Sequence, residues 1–176
     1  MKGIRRGLGL ALLAAPCLAG PAIMTEQAAL ARAFPGRTPE RRVVELTPEQ
    51  VALVEKAARS KLPSAKITVF EAGEGAESQG RAYLDTHTVR TMPETLLTVL
   101  AADGTVRMVL LLQFQDHPDY VPPEKWLKTL EGKPSEQQTP GRGVPRVTGS
   151  TLTVDAATAA VRRALAIDAL IMRRPE

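Results

Sequence analysis

Cysteine occurs once, at Cys17. A single thiol excludes a disulfide within the chain and a cysteine metal cluster, so packing and polar contacts alone must hold the fold. Histidine is almost as scarce, and a metal site built on His87 and His117 would need both to converge with a carboxylate such as Asp119. Two isolated histidines more often belong to core or surface. Charge of one sign is also lacking: Lys and Arg exceed Asp and Glu by 23 to 19, and Lys2, Arg5 and Arg6 account for three of that excess. The remaining chain is close to neutral and offers no basic stripe for nucleic acid. Paired carboxylates, a phosphate-binding glycine loop and a nucleophile elbow are absent as sequence motifs, which leaves a hydrolase unsupported. Aromatic residues number six, yet Phe114, Tyr120 and Trp126 fall within thirteen positions. Segment 114–126 is therefore a place to look, with ordinary core packing as the simpler account of each of the three.

What is present begins with "MKGIRRGLGLALLAAPCLAG". Three basic residues, an uncharged and mostly apolar run, and then Pro, Gly and Ala have the layout of a secretory signal. Residues 1–24 are read as a signal peptide or a retained amino-terminal membrane anchor, with cleavage after Ala22 the natural site for the former. "AAPCL" lacks the Leu expected three residues before a lipid-bearing cysteine. Either reading places the following domain outside the cytoplasm.

The pattern beyond residue 25 predicts an α+β fold, an antiparallel sheet with packed helices. A short helix runs from Thr25 to Ala33, and "RRVVEL" suits a strand. "LTPEQVALVEKAARSKL" is a helix with Thr47 as N-cap, Pro48 at its first position and Leu62 before Pro63 as its stop. "AKITVFEA" is a β-branched strand, and "GEGAESQG" a turn. In "ETLLTVLAADGTVRMVLLLQF" two apolar runs meet at Asp103-Gly104, a hairpin expected at the centre of a sheet covered on both faces. "DHPDYVPP" is a rigid loop, "EKWLKTLEG" a short helix ended by Gly132, "KPSEQQTPGRGVP" a loop, and "RVT" a brief return to the sheet. The last element is an amphipathic helix over about 153–171. Val154, Ala157, Val161, Ala164 and Leu165 form its expected buried stripe, with Arg162 and Arg163 opposite.

Just before that helix, "RVTGSTLTVDAAT" gathers Thr148, Ser150, Thr151, Thr153 and Thr158. A helix that begins among hydroxyls presents unpaired N–H groups beside further donors, an arrangement suited to an anion such as phosphate. One of the hydroxyls acting merely as the cap is the simpler alternative.

Taken in order, "ALARAFPG", "LTPEQVALVEKAA", "ADGTV", "DYVPPEKWLKTLEGK" and "VTGSTLTVDAATAAVRRAL" resemble the FMN-binding domain family. That family includes the extracytoplasmic flavin subunits of the Rnf and sodium-pumping NADH:quinone reductase complexes and regulators of the NosR type. The resemblance spans about 25–170 and is nearest to small stand-alone members. It implies that residues 25–176 form an FMN-binding domain whose closing helix follows the flavin motif. In the family the motif reads Asp-x-x-Ser/Thr-Gly-Ala-Thr, and a flavin transferase joins the final Thr to the FMN phosphate. The matching residues are Thr148, Gly149, Ser150 and Thr151, which makes Thr151 the acceptor. Ser150 replaces Ala, and Pro145 stands where the motif has Asp. Trp126 and Tyr120, with Phe114 behind them, are the candidates for the ring's wall.

The resemblance implies an electron carrier or a subunit of an oxidoreductase complex, rather than a stand-alone enzyme. Its partners would be a membrane redox complex or exported electron-transfer proteins. It would work in the periplasm or on the outer face of the cytoplasmic membrane, membrane-associated and without nucleic acid. Two other readings stay open at this stage: a flavin-free interaction or assembly subunit that retains the fold, and a sensing module.

Overall fold

The computed structural model describes residues 23–73 and 78–173. Cys17 and the basic and apolar stretch read as a leader lie outside the described residues. Among those described, no helix is long and apolar enough to cross a membrane.

Among the described residues, five antiparallel strands run in sequence order across one sheet: β1 (Glu40–Glu45), β2 (Lys66–Glu71), β3 (Arg81–Val89), β4 (Met92–Leu100) and β5 (Val106–Phe114). The same residues form four α-helices: α1 (Glu26–Ala33), α2 (Pro48–Ala58), α3 (Glu124–Leu127) and α4 (Thr151–Ile167). The architecture is the expected α+β one.

Local chemistry sets the helix ends. The Ala28 amide donates to Thr25 Oγ1, at 3.2 Å, and opens α1. Thr47 and Gln50 form a reciprocal capping box on α2, the Gln50 amide donating to Thr47 Oγ1 at 3.3 Å and the Thr47 amide to Gln50 Oε1 at 2.9 Å. α2 stops four residues before the expected Leu62. Arg59 turns left-handed (φ 51°), the Glu55 carbonyl collects the Arg59 and Ser60 amides, and the Glu55 carboxylate accepts from Leu62 N and Lys61 Nζ.

Strand alternation divides the interior in two. Ile67, Val69, Tyr83, Leu96, Leu100, Val109 and Phe114 point to the side where α2, α3 and α4 pack. Phe70, Ala82, Leu97, Val99, Leu110 and Leu112 point to the other side, beneath Ala29, Ala33 and Phe34 of α1 and its end. Burying each of the larger apolar side chains stabilises the fold by roughly 1.5–3 kcal/mol before conformational entropy is set against it.

The Asp-Gly hairpin forms as expected. The Ala101 amide donates to the Thr105 carbonyl at 2.9 Å, and Gly104 takes the positive φ (84°) that the turn requires. Its place in the sheet differs from expectation, because β5 is an edge strand. A continuous apolar run reports that both faces are covered, and says nothing about the edge. That edge is blunted by loops: the Ile23 and Met24 amides donate to the Leu112 carbonyl (2.9 and 3.2 Å), and the Gly132 amide to Val106 O (2.8 Å).

Two further expectations fail near the carboxyl end. Residues 146–148 enter no strand. α4 begins at Thr151 rather than Thr153, and passes after Ile167 into one π-helical turn, Asp168–Met172. Nor are Arg162 and Arg163 a solvent face. Arg163 is 4% exposed and Arg162 is half-buried, donating to the carbonyls of Ala58 and Gln138. α4 is packed on more than one side, by the sheet and by α2, so its polar positions also need partners inside the fold.

Candidate functional site

The segment from Gln138 to Ser150 reaches α4 through a series of backbone turns. The Val144 amide donates to Thr139 O (3.3 Å), the Gly141 amide to Val144 O (2.7 Å), and the Ser150 amide to Val147 O (3.2 Å). Gly149 has φ 87°, a left-handed conformation in which any L side chain would be strained even though open space surrounds the position.

Ser150 is the N-cap of α4. Its carbonyl accepts the first helical bond from the Val154 amide at 2.9 Å, but its side chain, 4% exposed, makes no capping bond. Thr151 follows as the first helical residue and is exposed, as are Thr148 and Gly149. An N-terminus without a side-chain cap retains donor capacity for an anion, and the helix dipole favours a negative charge there by about 0.3–1 kcal/mol.

The five hydroxyls do not form one cluster. Thr153, 2% exposed, lies inside the first turn rather than at the cap, and Thr158 is fully buried with its hydroxyl on the Val154 and Asp155 carbonyls (3.0 and 2.9 Å). Only Thr148, Ser150 and Thr151 remain at the helix start.

The three clustered aromatics part company. Phe114 (4% exposed) and Trp126 (5%) belong to the core beneath α4. Trp126 nevertheless touches the motif loop, its Nε1–H donating to the Pro145 carbonyl at 2.8 Å. Tyr120 is half-buried against the same core, with the Arg90 guanidinium 4.2 Å from its ring centre and the His117 ring edge-on at 5.9 Å. Arg90 also pairs with Asp116 at 3.3 Å, which ties the β3–β4 turn to the loop after β5.

The two histidines do not converge. His117 is exposed, whereas His87 lies under α4, and among the described residues no group of three or more His, Cys, Asp or Glu side chains is placed to hold a metal.

A second polar centre lies between β3, β4 and α4. Asp85 accepts from Arg163 Nε and Nη2 at 2.7 and 2.8 Å, and its Oδ1 meets His87 Nδ1 at 2.9 Å. On the far side of that ring, Nε2 faces Glu94 Oε2 at 3.6 Å, too long for a hydrogen bond. Glu94 is 1% exposed, and among the described residues neither of its oxygens has a hydrogen-bond partner. Burial pushes its pKa above the usual carboxylate range. Burial alone would depress His87, but Asp85 and Glu94 together lift it to about 9. The same trade falls the other way for Asp85, where burial is outweighed by His87 and Arg163 and the carboxyl is held low. Nearer the end of α4, Asp168 accepts from Tyr83 Oη (2.8 Å) and Arg81 (3.1 Å) and pairs with Arg173 (2.6 Å). The strand period held a clue to this centre: Tyr83, Asp85 and His87 alternate onto one face of "RAYLDTHTV", and His87 pairs across the hairpin with Glu94.

The chain matches no family model, no curated protein and no solved structure.

Proposed function

We propose that this protein is an extracytoplasmic electron-transfer protein that carries FMN at the start of α4, through a phosphoester on Thr151. The observation behind the reading is an exposed threonine at the first position of a long helix, preceded by a left-handed glycine and by an N-cap serine whose side chain leaves the helix amides free. The resemblance to the FMN-binding domain family supplies the identity of the anion.

In this reading the Thr151 hydroxyl loses its proton and its oxygen bonds to the flavin-side phosphorus of a flavin dinucleotide held by the transferase. The pyrophosphate bond breaks so that the nucleoside monophosphate leaves, and the first amides of α4 stabilise the phosphate charge. Gly149 lets the loop approach without a side chain in the way. Tyr120 is the aromatic with surface to offer the ring, and Trp126 supports the loop from below. FMN supplies the redox chemistry, while the protein sets its position and potential. A tethered flavin cannot be lost after export, which suits a carrier working beside a membrane redox complex or other exported electron-transfer proteins.

A flavin-free assembly subunit is the second reading, favoured by Pro145 in the place of the motif's Asp. The deciding experiment is the mass and visible spectrum of the exported protein produced together with a flavin transferase. Flavin on the peptide containing Thr151 supports the first reading. Colourless protein of unmodified mass that also fails to bind free FMN establishes the second.

A further inference from the structure

We propose that Trp126 is a positioning residue for the flavin loop, fixing it through the Pro145 carbonyl rather than stacking on a bound ring. This rests on the FMN reading above. The indole is withdrawn into the core, 5% exposed, and one polar atom is available to it. That atom, Nε1, donates to Pro145 O at 2.8 Å. Pro145 has no amide hydrogen, so its carbonyl is the only backbone group through which the loop can be held at that residue.

The loop's other end is held from α4. Gln138 is fully buried, its Nε2 donates to the carbonyls of Leu130 (2.7 Å) and Lys133 (3.1 Å), and its own carbonyl accepts from Arg162. Downstream of Pro145 the next buried residue with a defined role is Ser150, the N-cap. The stretch 146–149, which carries Thr148 and Gly149 to the helix start, is therefore held at its ends by the Trp126 bond and the cap, and between them by the half-buried Val147 against the core. Freeing the Pro145 end lets that stretch sample positions in which Thr151 is no longer framed for a phosphate.

Trp126→Phe keeps the buried ring and removes the donor. Leu127→Val, in the same core and 5% exposed, is the control for general loss of packing. Exchange of the Ser150 amide, which closes the loop onto the Val147 carbonyl, is measured in both variants, together with kcat and KM of a flavin transferase acting on the folded protein. Trp126→Phe is expected to speed exchange at Ser150 about tenfold and to lower kcat/KM for transfer by a similar factor, roughly the worth of one hydrogen bond. Leu127→Val is expected to lower Tm and change neither. Unchanged exchange in Trp126→Phe, or equal effects of the two substitutions, overturns the inference. Altered exchange with normal flavin transfer also overturns it and leaves the FMN reading standing. A wild-type protein that accepts no flavin removes both.

Discussion

Arg163 and Asp85 meet in a two-point contact, Nε to Oδ2 at 2.7 Å and Nη2 to Oδ1 at 2.8 Å, with the two side chains 5% and 12% exposed. This joins the last third of α4 to the middle of β3, on a helix whose other buried positions are mostly alanine and valine. Removing the guanidinium leaves Asp85 buried and charged, with His87 Nδ1 on Oδ1 and the pairing at Oδ2 lost. Arg163→Met should therefore destabilise the protein by roughly 3–5 kcal/mol in urea unfolding. A loss below about 1 kcal/mol would mean that the pair merely tolerates its position.

The His87 imidazole makes stability depend on pH in one direction. Its folded pKa of about 9 lies above the 6.5 of an unperturbed histidine, so its contribution is complete below about pH 6.5 and disappears as pH rises through about 9. Asp85, held low, contributes above its ordinary 3.8 and is lost in stronger acid. Glu94, raised by burial, opposes folding when ionised and ceases to do so as acid protonates it. The urea midpoint should fall between pH 6.5 and 9, and His87→Gln should flatten that fall. Glu94→Gln should move the His87 midpoint down, read by NMR titration of the ring.

Helix capping offers a contrast within one chain. Thr47→Ala breaks a capping box and should cost about 1 kcal/mol. Ser150→Ala removes a hydroxyl that makes no capping bond, and should cost less than half as much. Equal losses in thermal unfolding would show that Ser150 caps α4 in solution.

Thr151→Ala should abolish covalent flavin and leave the unfolding curve nearly unchanged, since the side chain is exposed. Thr153→Ala should leave flavin in place and reduce stability through lost packing, because Thr153 is buried in the first turn. Pro145→Asp, which restores the motif residue, should raise the flavinylated fraction. Peptide mass mapping separates the three results, and flavin found on Thr148 would move the site while keeping the function.

The elements that were legible in the sequence are those fixed by neighbours along the chain. Thr25, Thr47-Pro48 and Asp103-Gly104 specify two helix starts and a hairpin through bonds spanning two to four residues, and all three form as read. The start of α4 was harder. Ser150, Thr151 and Thr153 are all acceptable N-caps, and the choice of Ser150 is settled by the loop before it and the burial of Thr153. Arg163 departs from the helical pattern because a 3.6-residue stripe treats charge as solvent-facing, whereas its partner Asp85 lies 78 residues away on β3. Trp126 was legible as important, but its tie to Pro145 depends on how two irregular segments meet, which periodicity does not encode.

The strict sequence order of the strands has a kinetic consequence. Each strand pairs only with its neighbours along the chain, β3, β4 and β5 through tight turns and β1 with β2 around α2, so the sheet can close stepwise with modest loop entropy to overcome. α4 is different, since its contacts with α2, β3 and β4 join distant parts of the chain. We expect two classes of residue in refolding experiments. Substitutions in the β3–β4 hairpin should slow folding, whereas those along α4 should mainly hasten unfolding. Thr151, the proposed flavin acceptor, would then reach its final setting only in the last step of folding, and a modifying enzyme that needs that setting would act only on chains that have finished maturing.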